Sequence, residues 1–70
     1  MEKEVRIGEL GGALTTYVLD NGDTCQELAD KADIDTDGKV FRIGGQKVDG
    51  SHKPSNGDLV LVVKESKGGY

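Results

Sequence analysis

Tryptophan is missing from this chain, phenylalanine, proline, cysteine and histidine occur once each, and tyrosine occurs twice. A core without bulky aromatics must be aliphatic and thin, the kind that forms between one sheet and one helix. The lone Cys25 excludes an internal disulfide, so a reducing cytoplasm is the expected compartment. One histidine, His52, cannot make a metal site, and neither a metal nor a cofactor is expected. No apolar run approaches the roughly 20 residues of a membrane span or resembles the core of a signal peptide, so no membrane association is expected. Excess positive charge is also absent: 9 basic residues face 13 acidic ones, for a net charge of −4. Mixed along the chain, these charges favour a soluble monomer and supply no large basic field for nucleic acid or anionic lipid. The expected partners are therefore proteins or small molecules. With 70 residues, the chain supports one domain that buries only about 60% of its unfolded surface, too little for a deep cleft with a full catalytic constellation. A non-enzymatic protein is expected.

What is present is punctuated by glycine. Val5-Arg6-Ile7-Gly8 and Leu14-Thr15-Thr16-Tyr17-Val18-Leu19 are β-branched and partly alternating, and Gly11-Gly12 stands between them as a turn; together they predict a β-hairpin. Asp20-Asn21-Gly22-Asp23 is a turn cluster, and Thr24 followed by Glu27 has the spacing of a capping box, which predicts a helix beginning at Cys25. Cys25, Leu28, Ala29 and Ala32 fall on one helical stripe. Asp35-Thr36-Asp37-Gly38 ends the helix, Lys39 to Ile43 reads as a strand, and Gly44-Gly45 turns it toward a short partner at Gln46 to Val48. A loop rich in Gly, Ser, Pro and Asn precedes the continuous aliphatic run Leu59-Val60-Leu61-Val62-Val63, which predicts a central strand. With the helix crossing one face of a single sheet, the plainest arrangement sets the last strand parallel to the first. The helix stripe then packs on Val5, Ile7, Val18 and Leu61. The domain is expected to span 1–63, and 64–70, which holds no large aliphatic residue, is expected to form a flexible tail.

Two local signals point elsewhere and are weak. Asp33-Ile34-Asp35-Thr36-Asp37-Gly38 begins like a calcium loop, but position twelve of that pattern is Gly44, where a bidentate Glu is needed. Cys25 stands at a helix N-terminus, where a thiol can be activated, yet it shares the apolar stripe with Leu28 and no His lies nearby in sequence. A third signal carries further. Part of the run from Leu59 must face away from the helix, so an apolar docking patch on the open side of the sheet is expected, at Leu59, Leu61, Val63 and Tyr17, with Val40 a further candidate. The alternative is that loops or an edge strand cover it.

The order of elements, strand pair, helix, strand pair and central strand, resembles the β-grasp (ubiquitin-like) superfamily, an α+β fold. The second half, Val40-Phe41-Arg42-Ile43, Gly44-Gly45-Gln46-Lys47-Val48, Asn56-Gly57-Asp58, Leu59 to Val63 and then Gly68-Gly69, resembles the sulfur carriers of thiamine and molybdopterin synthesis and their small modifier relatives. The resemblance implies a mixed sheet of four to five strands on one helix. It also implies a tail whose terminal glycine carboxylate is adenylated by an E1-like enzyme, then converted to a thiocarboxylate for a sulfur-accepting protein or joined to a target protein. Carried over, Gly69 supplies the reacting carboxylate, Gly68 the slim approach and Lys64 to Lys67 the spacer. Tyr70 departs from that pattern: either it is removed by processing or the tail is inactive. Gly22-Asp23-Thr24 and Gly57-Asp58 are also similar to TGS domains, which share the fold, use no glycine tail and imply a stand-alone interaction or ligand-binding module.

Overall fold

The computed structural model describes residues 2–64. Their order is β1 (Glu2–Glu9), β2 (Thr15–Asp20), α1 (Cys25–Lys31), β3 (Lys39–Ile43), β4 (Gln46–Val48) and β5 (Leu59–Lys64). The strands form one sheet in the order β2-β1-β5-β3-β4. Neighbours pair antiparallel except β1 and β5, which are parallel, so the last strand lies in the middle of the sheet. It extends one residue past the expected domain edge at Val63, because Lys64 still pairs with Lys39.

Local chemistry sets the boundaries. Gly11 at φ 85° turns the first hairpin, and Gly44 and Gly45 at φ 59° and 84° turn the second, conformations that a Cβ disfavours. The capping box is complete: the Glu27 N–H donates to Thr24 Oγ1 at 3.3 Å and the Thr24 N–H donates to Glu27 Oε1 at 2.8 Å. Loop 49–52 finishes the helix start, its His52 and Gly50 carbonyls accepting the Cys25 and Gln26 N–H groups at 2.9 Å each. At the other end Asp33 takes the left-handed conformation, φ 58°. The Asp33 N–H bonds the Asp30 carbonyl and the Ile34 N–H bonds the Ala29 carbonyl, a Schellman end with aspartate where glycine is usual. The acidic stretch after the helix is thus a stop, with the Asp37 N–H closing a small turn onto Asp35 Oδ1.

The core lies between the sheet and α1: Val5, Ile7, Leu19, Cys25, Leu28, Ala29, Phe41, Val60 and Val62 are buried, and Ala32 and Ile34 pack against them. Each fully buried Val, Leu or Ile contributes about 1.5–3 kcal/mol. Two expected members are corrected. Val18 is 55% exposed and Leu61 alternates with the buried Val60 and Val62; both point to the face away from the helix. The cause is register: Val5 pairs with Tyr17 and Lys3 with Leu19, so Tyr17 and Leu19, not Val18, share the face of Val5. Lys3 enters the core face instead, 4% exposed, with its Nζ donating to the Asn21 and Asp23 carbonyls at 3.1 Å each. Among the described residues, no buried side-chain nitrogen or oxygen lacks a hydrogen-bond partner.

Candidate functional site: the open face of the sheet

Side chains alternate along a strand, so the pairings fix what the open face presents. Arg6 stands opposite Leu59, Gly8 opposite Leu61, Leu61 opposite Arg42, Val63 opposite Val40, and Arg42 opposite Lys47. Leu59, Leu61, Val63 and Val40 are all half-buried on this face, and the loop of the first hairpin lies over it at Gly8. Gly8 widens it. A Cβ at Gly8 would lie 2.7 Å from both the Ala13 carbonyl oxygen and Leu14 Cδ2, so the absence of a side chain lets Leu14, 46% exposed, lie over Gly8, the residue opposite Leu61. Leu10, 75% exposed, adjoins Val63, its N–H bonded to the Val62 carbonyl at 3.4 Å. Leu59, Leu61, Val63, Val40, Leu14 and Leu10 thus form an aliphatic patch, bordered by Arg6, Arg42 and Lys47. The Arg42 guanidinium is held in place by donating to the Gly45 carbonyl at 2.7 Å.

Of the four residues expected on this patch, Leu59, Leu61 and Val63 are there and Tyr17 is not. Tyr17 is opposite Val5 and packs against the core on the helix side, because β2 meets β1 in the register that sends Val18 outward. Leu10 and Leu14 were not foreseen. The available signal was two large leucines in a glycine-rich hairpin, too far from the helix stripe to join the core. Gly68, Gly69 and Tyr70 lie outside the described residues.

Cys25 is fully buried, and burial pushes its thiol from the ordinary 9.0 up to about 11, with Lys3 pulling it down and Asp58 adding to the rise. A thiol so protonated is a core residue, not a nucleophile. His52 is exposed and serves through its backbone carbonyl. Among the described residues no cluster of three or more His, Cys, Asp or Glu is arranged to hold a metal, and no helix is long and apolar enough to cross a membrane.

No protein family and no curated protein matches the sequence. Solved structures do match in shape. The chain is similar to the ubiquitin of Caldiarchaeum subterraneum, with a TM-score of 0.69 and 12% identity over 99% of this chain and 100% of that one. It is similar to a de novo designed protein based on ubiquitin, with a TM-score of 0.68 and 12% identity over 99% and 93%. It is also similar to the C-terminal ubiquitin-like domain of mouse tubulin-specific chaperone e, with a TM-score of 0.61 and 12% identity over 99% and 92%. At that identity the likeness is one of fold: the chain has the α+β architecture of the ubiquitin-like β-grasp, five mixed strands on one short helix.

Proposed function

We propose that this protein is a ubiquitin-like carrier or modifier that acts through Gly69 after removal of Tyr70. The observation that carries the reading is the place of β5: the central strand ends at Lys64, beside the aliphatic patch, four residues before Gly68. An E1-like partner docks on that patch and adenylates the Gly69 carboxylate. A sulfur donor or an amine then displaces the nucleotide, leaving a thiocarboxylate or an amide. The two glycines suit a narrow channel because no Cβ obstructs an extended backbone there. The chemistry belongs to the partner, and this protein is a substrate without catalytic groups of its own. On this reading it works as a monomer in the cytoplasm.

The patch with its cationic border equally suits a stand-alone binding module, and the terminus separates the two. Intact-mass spectrometry of the protein from its native cell is expected to show loss of Tyr70, together with conjugates or the mass gain of one oxygen replaced by sulfur. A terminus uniformly unmodified at Tyr70, with activity surviving deletion of 68–70, would overturn the carrier reading and leave the module.

A further inference from the structure

Glycine follows asparagine twice in this chain, at Asn21-Gly22 and Asn56-Gly57. Such a pair can react with itself. A glycine nitrogen that has lost its proton attacks the preceding side-chain amide, and no Cβ obstructs the approach. Both pairs are exposed turns, so exposure does not distinguish them, but hydrogen bonding does. Asn56 Oδ1 accepts the Glu4 N–H at 2.8 Å, and the Gly57 N–H donates to the Glu4 carbonyl at 2.7 Å. Electrophile and nucleophile of that pair are both tied to β1. The first pair is tied only at its flanks, where the Asp23 N–H donates to the Asp20 carbonyl and the Asp20 N–H to Asp23 Oδ2, at 3.0 Å each. Among the described residues, neither the Asn21 side-chain amide nor the Gly22 N–H has a hydrogen-bond partner.

What the first pair has instead is a cation. Buried Lys3 donates from Nζ to the Asn21 carbonyl at 3.1 Å, and that carbonyl belongs to the same peptide unit as the Gly22 nitrogen. Amide resonance spreads the charge of a deprotonated nitrogen onto this oxygen. An ammonium already bonded to the oxygen stabilises that anion, and it does so more strongly for being shielded from water. The Asp23 carbonyl, also 3.1 Å from Lys3 Nζ, keeps the cation in position.

We propose that Asn21 is a site of self-modification, converted to isoaspartate with Lys3 as the activating group. Hydroxide takes the Gly22 proton, and the nitrogen bonds to Asn21 Cγ. The Cγ–Nδ2 bond breaks, and ammonia leaves with a proton from water. In the cyclic imide Lys3 still bonds the former main-chain carbonyl, which is therefore the more polarised of the two. Water adds there, the bond from that carbon to Gly22 N breaks, and the nitrogen recovers a proton. One water enters and one ammonia leaves. The main chain now runs through Cγ, and the former carbonyl is a carboxylate paired with Lys3, one negative charge beyond the −4 of the chain. The proposal is independent of any chemistry at Gly69.

The test is incubation of the full chain at mildly alkaline pH, folded and in urea, then digestion in acid and mass spectrometry of the segments holding Asn21 and Asn56. A gain of about one dalton marks conversion, and an isoaspartate-specific methyltransferase identifies the isomer. In the folded chain Asn21 is expected to convert at least about tenfold faster than Asn56, and no slower than in urea, where the two behave alike. Gly22→Ala places its Cβ in open space at a residue without positive φ, and is expected to slow conversion about tenfold with the fold intact. Lys3→Met removes the cation and is expected to slow Asn21 about tenfold while raising the share of plain aspartate. Should that variant fail to fold, the wild-type products carry the same information, with a larger isoaspartate share expected folded than in urea. Three results overturn the proposal: Asn56 converting as fast as Asn21 in the folded chain, Asn21 converting faster in urea than folded, or an isoaspartate share equal in both.

Discussion

Gly8 shows how much one absent methyl group decides. The Cβ it lacks would press on a backbone carbonyl, that of Ala13, as well as on Leu14. A carbonyl within a hairpin cannot swing aside as a side-chain end can. Gly8→Ala is therefore expected to cost about 1–3 kcal/mol in a urea titration. Cys25 makes a different kind of prediction. Its pKa of about 11 against an ordinary 9.0 means the native thiol keeps its proton where the unfolded chain has released it. Ionisation of the unfolded chain then favours unfolding, so this residue's contribution to stability falls between pH 9 and pH 11 and is constant below. The difference in pH profile between wild type and Cys25→Ala isolates the effect. At pH 8, alkylation of the native thiol should run at least about 100-fold slower than in urea, the thiolate deficit adding to its burial.

At the scale of elements, helix α1 has seven residues, too few to persist alone, and its ends are correspondingly well tied. The weaker tie is Asp33, left-handed without being glycine. Asp33→Gly is expected to raise stability by about 0.5–1 kcal/mol, the relieved backbone strain being partly offset by glycine's greater freedom in the unfolded chain. A thermal melt would show this as a small upward shift. The helix start, both hairpins and the central strand were legible in sequence because their signals are local: a capping box, paired glycines, an unbroken aliphatic run. The faces of β2 were not. Tyr17 and Val18 are adjacent and both apolar enough to be buried, and only the pairing with β1 chooses between them. Lys3 was hidden for a related reason, since a charged residue is read as exposed until the Asn21 and Asp23 carbonyls are seen to surround its ammonium.

For the molecule as a whole, the open face and the helix face divide the work. Side chains on the helix face hold the fold, and those on the open face are spare. Leu61→Asp is accordingly expected to cost only about 1–2 kcal/mol, less than a core substitution, since Leu61 is half-buried on the open face and aspartate is a poor strand residue. The same change should abolish capture of a partner that docks on the patch, measured by calorimetry. A large loss of stability would instead make Leu61 part of the core. Half of this surface could be read from the alternation in Leu59 to Val63. Val40 was a further candidate, while Leu10 and Leu14 depend on the curl of the first hairpin across Gly8, a contact that no spacing rule conveys.

The central position of β5 also has a consequence in time. Val60 and Val62 are the middle of the core, and β1 and β3 meet only through the strand that carries them. While the chain is being made, everything before residue 59 emerges as a hairpin, a short helix and a second strand pair that have no sheet to join. Pairing β1 with β5 closes a loop of about fifty residues, a slow step by contact-order arguments. Folding must therefore wait until β5 has cleared the ribosome. A nascent chain stalled before Leu59 is expected to be digested by protease, and one stalled with β5 fully outside the tunnel to resist.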